Sequence, residues 1–208
     1  MEPLVSIIVP VYNQEQLIKR ALDSIPKRAD VEVCIYNDGS TDRTEEIIAN
    51  WWWERRSELS EQRVIFKTCT ENHGLGYAKN QLLEMATGIY IHELDSDDFL
   101  YTDKYEEAMK WLDGTTDIVY IDMITYEGRR FHLEPASRRG FCAGICRFYR
   151  KKFIDGIRCQ ELRAGEDWFF NEEVLALNPT EYFTGIVAYH YNFPREGSLY
   201  DLMVKGEL

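Results

Sequence analysis

One pattern constrains this chain more than any other: a short apolar strand, a polar turn and a helical stretch recur four times over its first half. Leu4 to Val11 is an apolar run suited to a sheet covered on both faces. Tyr12-Asn13-Gln14 turns the chain, and Gln16 to Ile25 shows helical spacing at Leu17, Ile18, Ala21, Leu22 and Ile25 until Pro26. Val31 to Tyr36 reads as a second strand ending in the turn cluster Asn37-Asp38-Gly39-Ser40. Asp42-x-x-Glu45 has the form of a capping box for a helix through Ile47, Ile48, Trp51 and Trp52. The three tryptophans at 51 to 53 cannot all face a core, so one is left for a contact surface. Arg63 to Cys69 is a third strand and Gly74 to Ala86 a third loop and helix. Ile89 to Leu94 is the fourth strand, with a helix starting near Tyr101. Such alternation with short loops builds a parallel sheet, whose strand-end loops all open on one edge as a single composite site.

Immediately after the fourth strand come three carboxylates in four residues, Asp95, Asp97 and Asp98. Like charges this close repel unless a cation offsets them, and hard oxygen ligands at a strand end suit Mg²⁺ or Mn²⁺ with a diphosphate. A helix cap is the plainer use of any one of them. At 45% hydrophobic and 13% aromatic over 208 residues, the chain can bury a sizeable core. Its net charge of -12 argues against a protein held on nucleic acid by phosphate neutralisation. The five cysteines, Cys34, Cys69, Cys142, Cys146 and Cys159, read as reduced thiols without a closely spaced Cys/His cluster. Cys142 and Cys146 form one C-x3-C pair and no second, which argues against zinc. Met1-Glu-Pro-Leu-Val carries no basic or cleavage-like segment, and no run approaches the ~18 apolar residues of a spanning helix. The expectation is a cytoplasmic protein, at most peripheral at a membrane.

Past residue 113 the pattern changes. Asp117 to Tyr126 and Arg129 to Leu133 read as strands around a Glu127-Gly128 turn, and Phe141 to Tyr149 as another. Ala164-Gly-Glu-Asp-Trp-Phe-Phe170 leads into a helix through Val174, Leu175 and Leu177, ended by Asn178-Pro179. Tyr182 to Phe193 is a last, aromatic strand. No repeat or linker interrupts the chain, so this half extends the same sheet and forms the pocket's far wall.

Five motifs stand in a telling order: Val5-Ser-Ile-Ile-Val-Pro-Val-Tyr-Asn13, Tyr36-Asn-Asp-Gly-Ser-Thr-Asp42, Asn72-x-Gly-Leu75 with Lys79-Asn80, Leu94-Asp-Ser-Asp-Asp98, and Gly165-Glu-Asp167. In this order they resemble family 2 glycosyltransferases, over residues 4 to 200. The resemblance implies a single α/β domain of the GT-A fold: a Rossmann-like, mostly parallel central sheet, helices on both faces and a smaller mixed C-terminal extension. It implies a nucleotide-sugar-binding half over 1–112 and an acceptor-binding half over 113–208. It implies an inverting, metal-dependent transfer from a nucleotide-diphospho-sugar, a UDP-sugar favoured, to a hydroxyl of a glycan or glycolipid-type acceptor.

Residue by residue, the resemblance places Pro10, Tyr12, Asn13 and Asp38 at the nucleobase, where a carboxylate at Asp38 can accept an imide N–H. It places Asp95 at the ribose and beside the metal, with Ser96 between it and Asp97, the direct ligand of Mn²⁺ or Mg²⁺. Asp98 either touches the donor sugar or caps the next helix. Lys79 meets the base or the diphosphate as a point charge, where relatives often carry arginine. Asp167 matches the general base, and Glu166 either orients it or contacts the acceptor, although acids are also ordinary in a first helical turn. Trp168 offers a stacking face for a sugar or a core ring. His190 is either a further metal ligand or a hydrogen-bonded strand histidine. Arg195-Glu-Gly-Ser198 resembles a loop that closes over the donor. Two other classes are to be distinguished from transfer: a nucleotide-sugar-binding module without turnover, and a nucleotidyltransferase. The second needs a Gly-rich basic phosphate loop, and Pro10-Val-Tyr-Asn13 is not one. Oligomeric state is left open.

Overall fold

The structure, a computed structural model, describes residues 2–58, 61–137, 144–162, 165–193 and 205. One nine-stranded sheet organises it. The strands are β1 (Val5–Val11), β2 (Val31–Asn37), β3 (Val64–Thr68), β4 (Tyr90–Glu93), β5 (Phe99–Leu100), β6 (Ile118–Thr125), β7 (Arg130–Phe131), β8 (Arg147–Arg150) and β9 (Glu181–Tyr191). Their order is β3-β2-β1-β4-β8-β6-β9-β5, with β7 on β6. β1 to β4 pair in parallel, as the apolar runs require. β8 then runs antiparallel between β4 and β6, and β6 and β9 are parallel again, so the second half is a mixed extension of the same sheet. Every residue of β1, β2 and β4 is buried, the expected signature of strands covered on both faces.

The helices are α1 (Ile18–Asp23), α2 (Thr44–Glu58), α3 (Leu75–Met85), α4 (Thr102–Met109) and α5 (Glu166–Ala176). α3 packs on β1 and β2, α4 on β9 and α1 on α2. Three sequence expectations change. α1 starts at Ile18 rather than Gln16, because the preceding residues serve the loop after β2: the Gln14 and Glu15 amides donate to Thr44 Oγ1 (2.8 Å) and Asp42 Oδ2 (3.1 Å). No reciprocal capping box forms at Asp42-x-x-Glu45. The Thr44 amide donates to Asp42 Oδ1, while Glu45 accepts from Thr68 Oγ1. The strand expected from Phe141 begins at Arg147; Gly144–Cys146 is a 3-10 turn, and 141–143 lie outside the described residues. Of the three tryptophans, Trp51 is buried under the Arg55 guanidinium (5.2 Å from its ring centre), while Trp52 and Trp53 are exposed, Trp53 the more so at 73%.

Glu32 ties the strand starts together. Fully buried, it accepts from Ser6 Oγ (2.5 Å) and from the amide and hydroxyl of Thr87 (2.7 and 2.8 Å), with Arg63 at 3.2 Å. Among the described residues no helix is long and apolar enough to cross a membrane.

Candidate active site

Because β1 to β4 are parallel, their C-terminal ends share one edge, and the motif residues converge there. Pro10 is buried in β1, and Tyr12 just beyond it is exposed. Asn13 adopts a left-handed φ of 50°; its amide donates to Ser40 Oγ (2.9 Å) and its Oδ1 accepts from the Thr41 amide (2.8 Å). This crosslinks the loops after β1 and β2. Asp38 is buried, and its carboxylate accepts from the backbone amides of His73 (3.0 Å to Oδ2) and Gly74 (2.7 Å). Gly39 lies against that loop at φ +74°, where an added Cβ would sit 2.5 Å from the Glu71 carbonyl carbon, so only glycine fits.

The acidic turn follows β4. Asp95, Asp97 and Asp98 each offer an oxygen within 4.8 Å of the others. Burial and the carboxylates of Glu93 and Asp98 push Asp95 well above the usual range, against the pull of Lys79. Burial and Asp97 push Asp98 up to about 8. Asp98 is fully buried, accepting from the Tyr189 hydroxyl (2.7 Å) and the Asn192 amide (2.7 Å). It does not cap α4, whose N-cap is Tyr101 without a side-chain cap bond. Ser96 is buried, and the Asp97 carbonyl accepts from Arg20 (2.5 Å).

A second charge cluster faces this turn. Lys79, on α3, is buried with its ammonium 2.8 Å from Glu93, 3.0 Å from Glu166 and 2.5 Å from Asp167. Burial pulls its pKa down, but Asp167, Glu93, Glu166 and Asp95 together hold it well above the usual lysine value. The Lys79 side chain, expected at the nucleobase or diphosphate, is thus committed to the carboxylates of α5 and β4, and Asp95 also feels its charge. Burial drives Glu93 up to about 7, with Lys79 opposing. Gly144 makes room: a Cβ there would stand 2.6 Å from Glu93 Oε2 and 3.9 Å from Asp167 Oδ1. Glu166 is buried, whereas the Asp167 side chain remains 28% exposed and Trp168 is exposed beside it. A cleft lined by Lys79, Glu93, Gly144, Tyr149 and Asp167 opens at this point.

The family model for glycosyl transferase family 2 matches residues 6–170, most of the chain and all five motifs. The chain belongs to this family. A chondroitin synthase of Pasteurella multocida (strain Pm70) is 41% identical over 110 residues, covering 52% of this chain but only 11% of the relative. The putative glycosyltransferase EpsH of Bacillus subtilis is 28% identical over 216 residues, 91% of this chain and 60% of that one. The chain therefore spans less than two thirds of the length of these relatives. Among solved structures, S. aureus TarS 1-349 in complex with UDP-GlcNAc superposes with a TM-score of 0.78 at 23% identity, over 96% of this chain and 61% of that one. The mannosyltransferase PcManGT of Pyrobaculum calidifontis, in complex with GDP-Man and Mn²⁺, gives 0.73 at 21%, over 95% and 59%. At these identities the likeness establishes the GT-A fold.

For this family 2 chain, the residues at the acidic turn fit a hard divalent cation. Three carboxylates converge, and two of them are pushed up by burial and by repulsion from neighbouring carboxylates, which a cation relieves. His190 does not join that group. It stacks on Phe99 (4.2 Å), and its Nδ1 lies 2.9 Å from the Tyr101 hydroxyl. Arg195 to Ser198, expected as a closing loop, lie outside the described residues. Two residues escaped the sequence reading. Glu93 was absorbed into an apolar run, although a carboxylate at the end of a buried strand is itself a signal. His73 stands four residues after Cys69, and the fold sets Asp38 beside the two, so a group forms where no closely spaced Cys/His cluster was expected.

Proposed function

We propose that this chain transfers a glycosyl group, with inversion, from a nucleotide-diphospho-sugar to a hydroxyl of a glycan or glycolipid-type acceptor. The observation that carries this is Lys79: one buried ammonium pairs with Glu166 and Asp167 of α5 and with Glu93 at the end of β4, and its charge reaches Asp95, which supports a base and cation ligands sharing one site.

Asp38, steadied by two amides, retains lone pairs for the imide N–H of a nucleobase, and uracil is favoured. Tyr12 and Asn13 border the same pocket. Asp95 and Asp97 would hold Mn²⁺ or Mg²⁺, which when bound offsets the charge growing on the departing diphosphate. Lys79 fixes the orientation of the Asp167 carboxylate, whose exposed part faces the acceptor. As the acceptor oxygen bonds to the anomeric carbon, its proton passes to Asp167 and the bond to the diphosphate oxygen breaks on the opposite face. The acceptor-binding half over 113–208 supplies Asp167 and the cleft wall at Gly144 and Tyr149.

The test is incubation with a panel of nucleotide sugars and a glycan acceptor, with and without Mn²⁺. Metal-dependent release of nucleoside diphosphate supports transfer. Binding without release would favour a module without turnover, and pyrophosphate formation would favour a nucleotidyltransferase.

A further inference from the structure

Beyond the carboxylates of the acidic turn, a second set of ligand atoms converges at the same sheet edge. Asp38 Oδ1, Cys69 Sγ and His73 Nδ1 form a triangle with edges of 3.5 Å (Cys to Asp), 3.5 Å (His to Asp) and 3.9 Å (Cys to His). Tetrahedral zinc with ordinary Zn–S, Zn–N and Zn–O bonds sets ligand-to-ligand edges of about 3.3–3.6 Å. Two edges match and the third closes by a few tenths of an ångström. The His73 side chain is 41% exposed, so solvent reaches the group.

The surroundings support ligation. The Asp38 carboxylate is oriented by the His73 and Gly74 amides, and the imidazole is held against Tyr77 (ring centres 4.6 Å apart). The loop carrying Cys69 and His73 is pressed on Gly39, with Asn72 Nδ2 donating to the Asp38 carbonyl (3.2 Å). The thiol already points among oxygen acceptors, the Glu71 carbonyl at 3.1 Å included. A cation replacing its proton would meet the same acceptors favourably.

We propose that Asp38, Cys69 and His73 form a three-ligand site for a borderline divalent cation such as Zn²⁺, and that its loading competes with the nucleotide. Ligand chemistry separates it from the acidic turn: thiolate and imidazole select zinc or cobalt, all-carboxylate oxygen selects Mg²⁺ or Mn²⁺. Binding releases the Cys69 proton to solvent as the sulfur–metal bond forms. The competition rests on the functional reading above, because Asp38 is the group assigned to the nucleobase; the site itself does not.

Titrating the intact chain with Co²⁺ and recording absorption tests the site. A thiolate-to-cobalt charge-transfer band is expected, lost in Cys69→Ser, weakened about tenfold or more in affinity in His73→Ala, and retained in Asp97→Asn. No band, or a band that survives Cys69→Ser, overturns the proposal. UDP binding with Mn²⁺ present, measured with and without Zn²⁺, tests the competition. Zinc is expected to weaken UDP in the wild type and not in His73→Ala; equal weakening in both would put the zinc at the acidic turn and overturn it. A chain that binds no UDP at all would defeat the functional reading, while the cobalt band would still decide the site.

Discussion

On the proposed mechanism, Asp97 and Asp167 make separable demands on the same turnover. Asp167→Asn keeps the shape and removes the proton acceptor, so transfer is expected to fall by roughly 10²–10⁴-fold with UDP affinity unchanged. Asp97→Asn is expected to abolish the Mn²⁺ dependence of both turnover and UDP binding. Steady-state kinetics beside UDP calorimetry distinguishes the two, and retained transfer in Asp167→Asn removes the base assignment. Lys79→Met strands Glu93, Glu166 and Asp167 without their shared cation. Its kcat is expected to drop about tenfold or more while the UDP dissociation constant stays put; Lys79→Arg recovers part of the loss. A drop in UDP affinity with kcat intact would instead make Lys79 a diphosphate ligand. Most positions of this site were legible as motif residues. Glu93 and Gly144 were not, because each acquires its meaning only from the other: a carboxylate inside an apolar run is accommodated where a distant backbone carries no side chain.

At the scale of elements, the parallel half was readable because β1, β2 and β4 are buried on both faces and their composition says so. The reversal at β8 was not, since a strand of four residues preceded by a 3-10 turn carries no period long enough to read. Cross-element ties were equally hidden. Glu32 looks like an isolated acid in a strand, yet it joins β2 to Ser6 of β1 and to Thr87 ahead of β4. Removing it leaves those donors buried without their acceptor. Glu32→Ala is therefore expected to cost about 3 kcal/mol of stability, read from the urea midpoint. An unchanged midpoint would mean that the strand starts hold without it. The bond from His92 Nε2–H to the Ile145 carbonyl (2.9 Å) similarly pins the 3-10 turn that brings Gly144 over Glu93.

For the whole molecule, His92 also sets an acid limit. Burial drives its pKa down from the ordinary 6.5 to about 3, so the folded chain keeps it neutral where the unfolded chain protonates it. The unfolded state then binds the extra proton between pH 6.5 and 3. Stability falls as pH drops through that window, by about 1.4 kcal/mol per unit from this group alone. Denaturant melts across the window are expected to show a shallower slope in His92→Phe than in the wild type; identical slopes would assign the acid sensitivity elsewhere. The sheet that carries all of this runs unbroken through the β4-β8-β6 seam, so thermal unfolding followed by tryptophan fluorescence and by circular dichroism is expected to coincide. Two separated transitions would split the molecule at that seam. The order of the parts along the chain also has a consequence in time. The acidic turn leaves the ribosome some seventy residues ahead of Asp167, a lag on the order of ten seconds at ordinary synthesis speeds. On the proposed mechanism the proton acceptor is thus made well after the cation ligands, and no turnover is expected of a nascent chain that still lacks it.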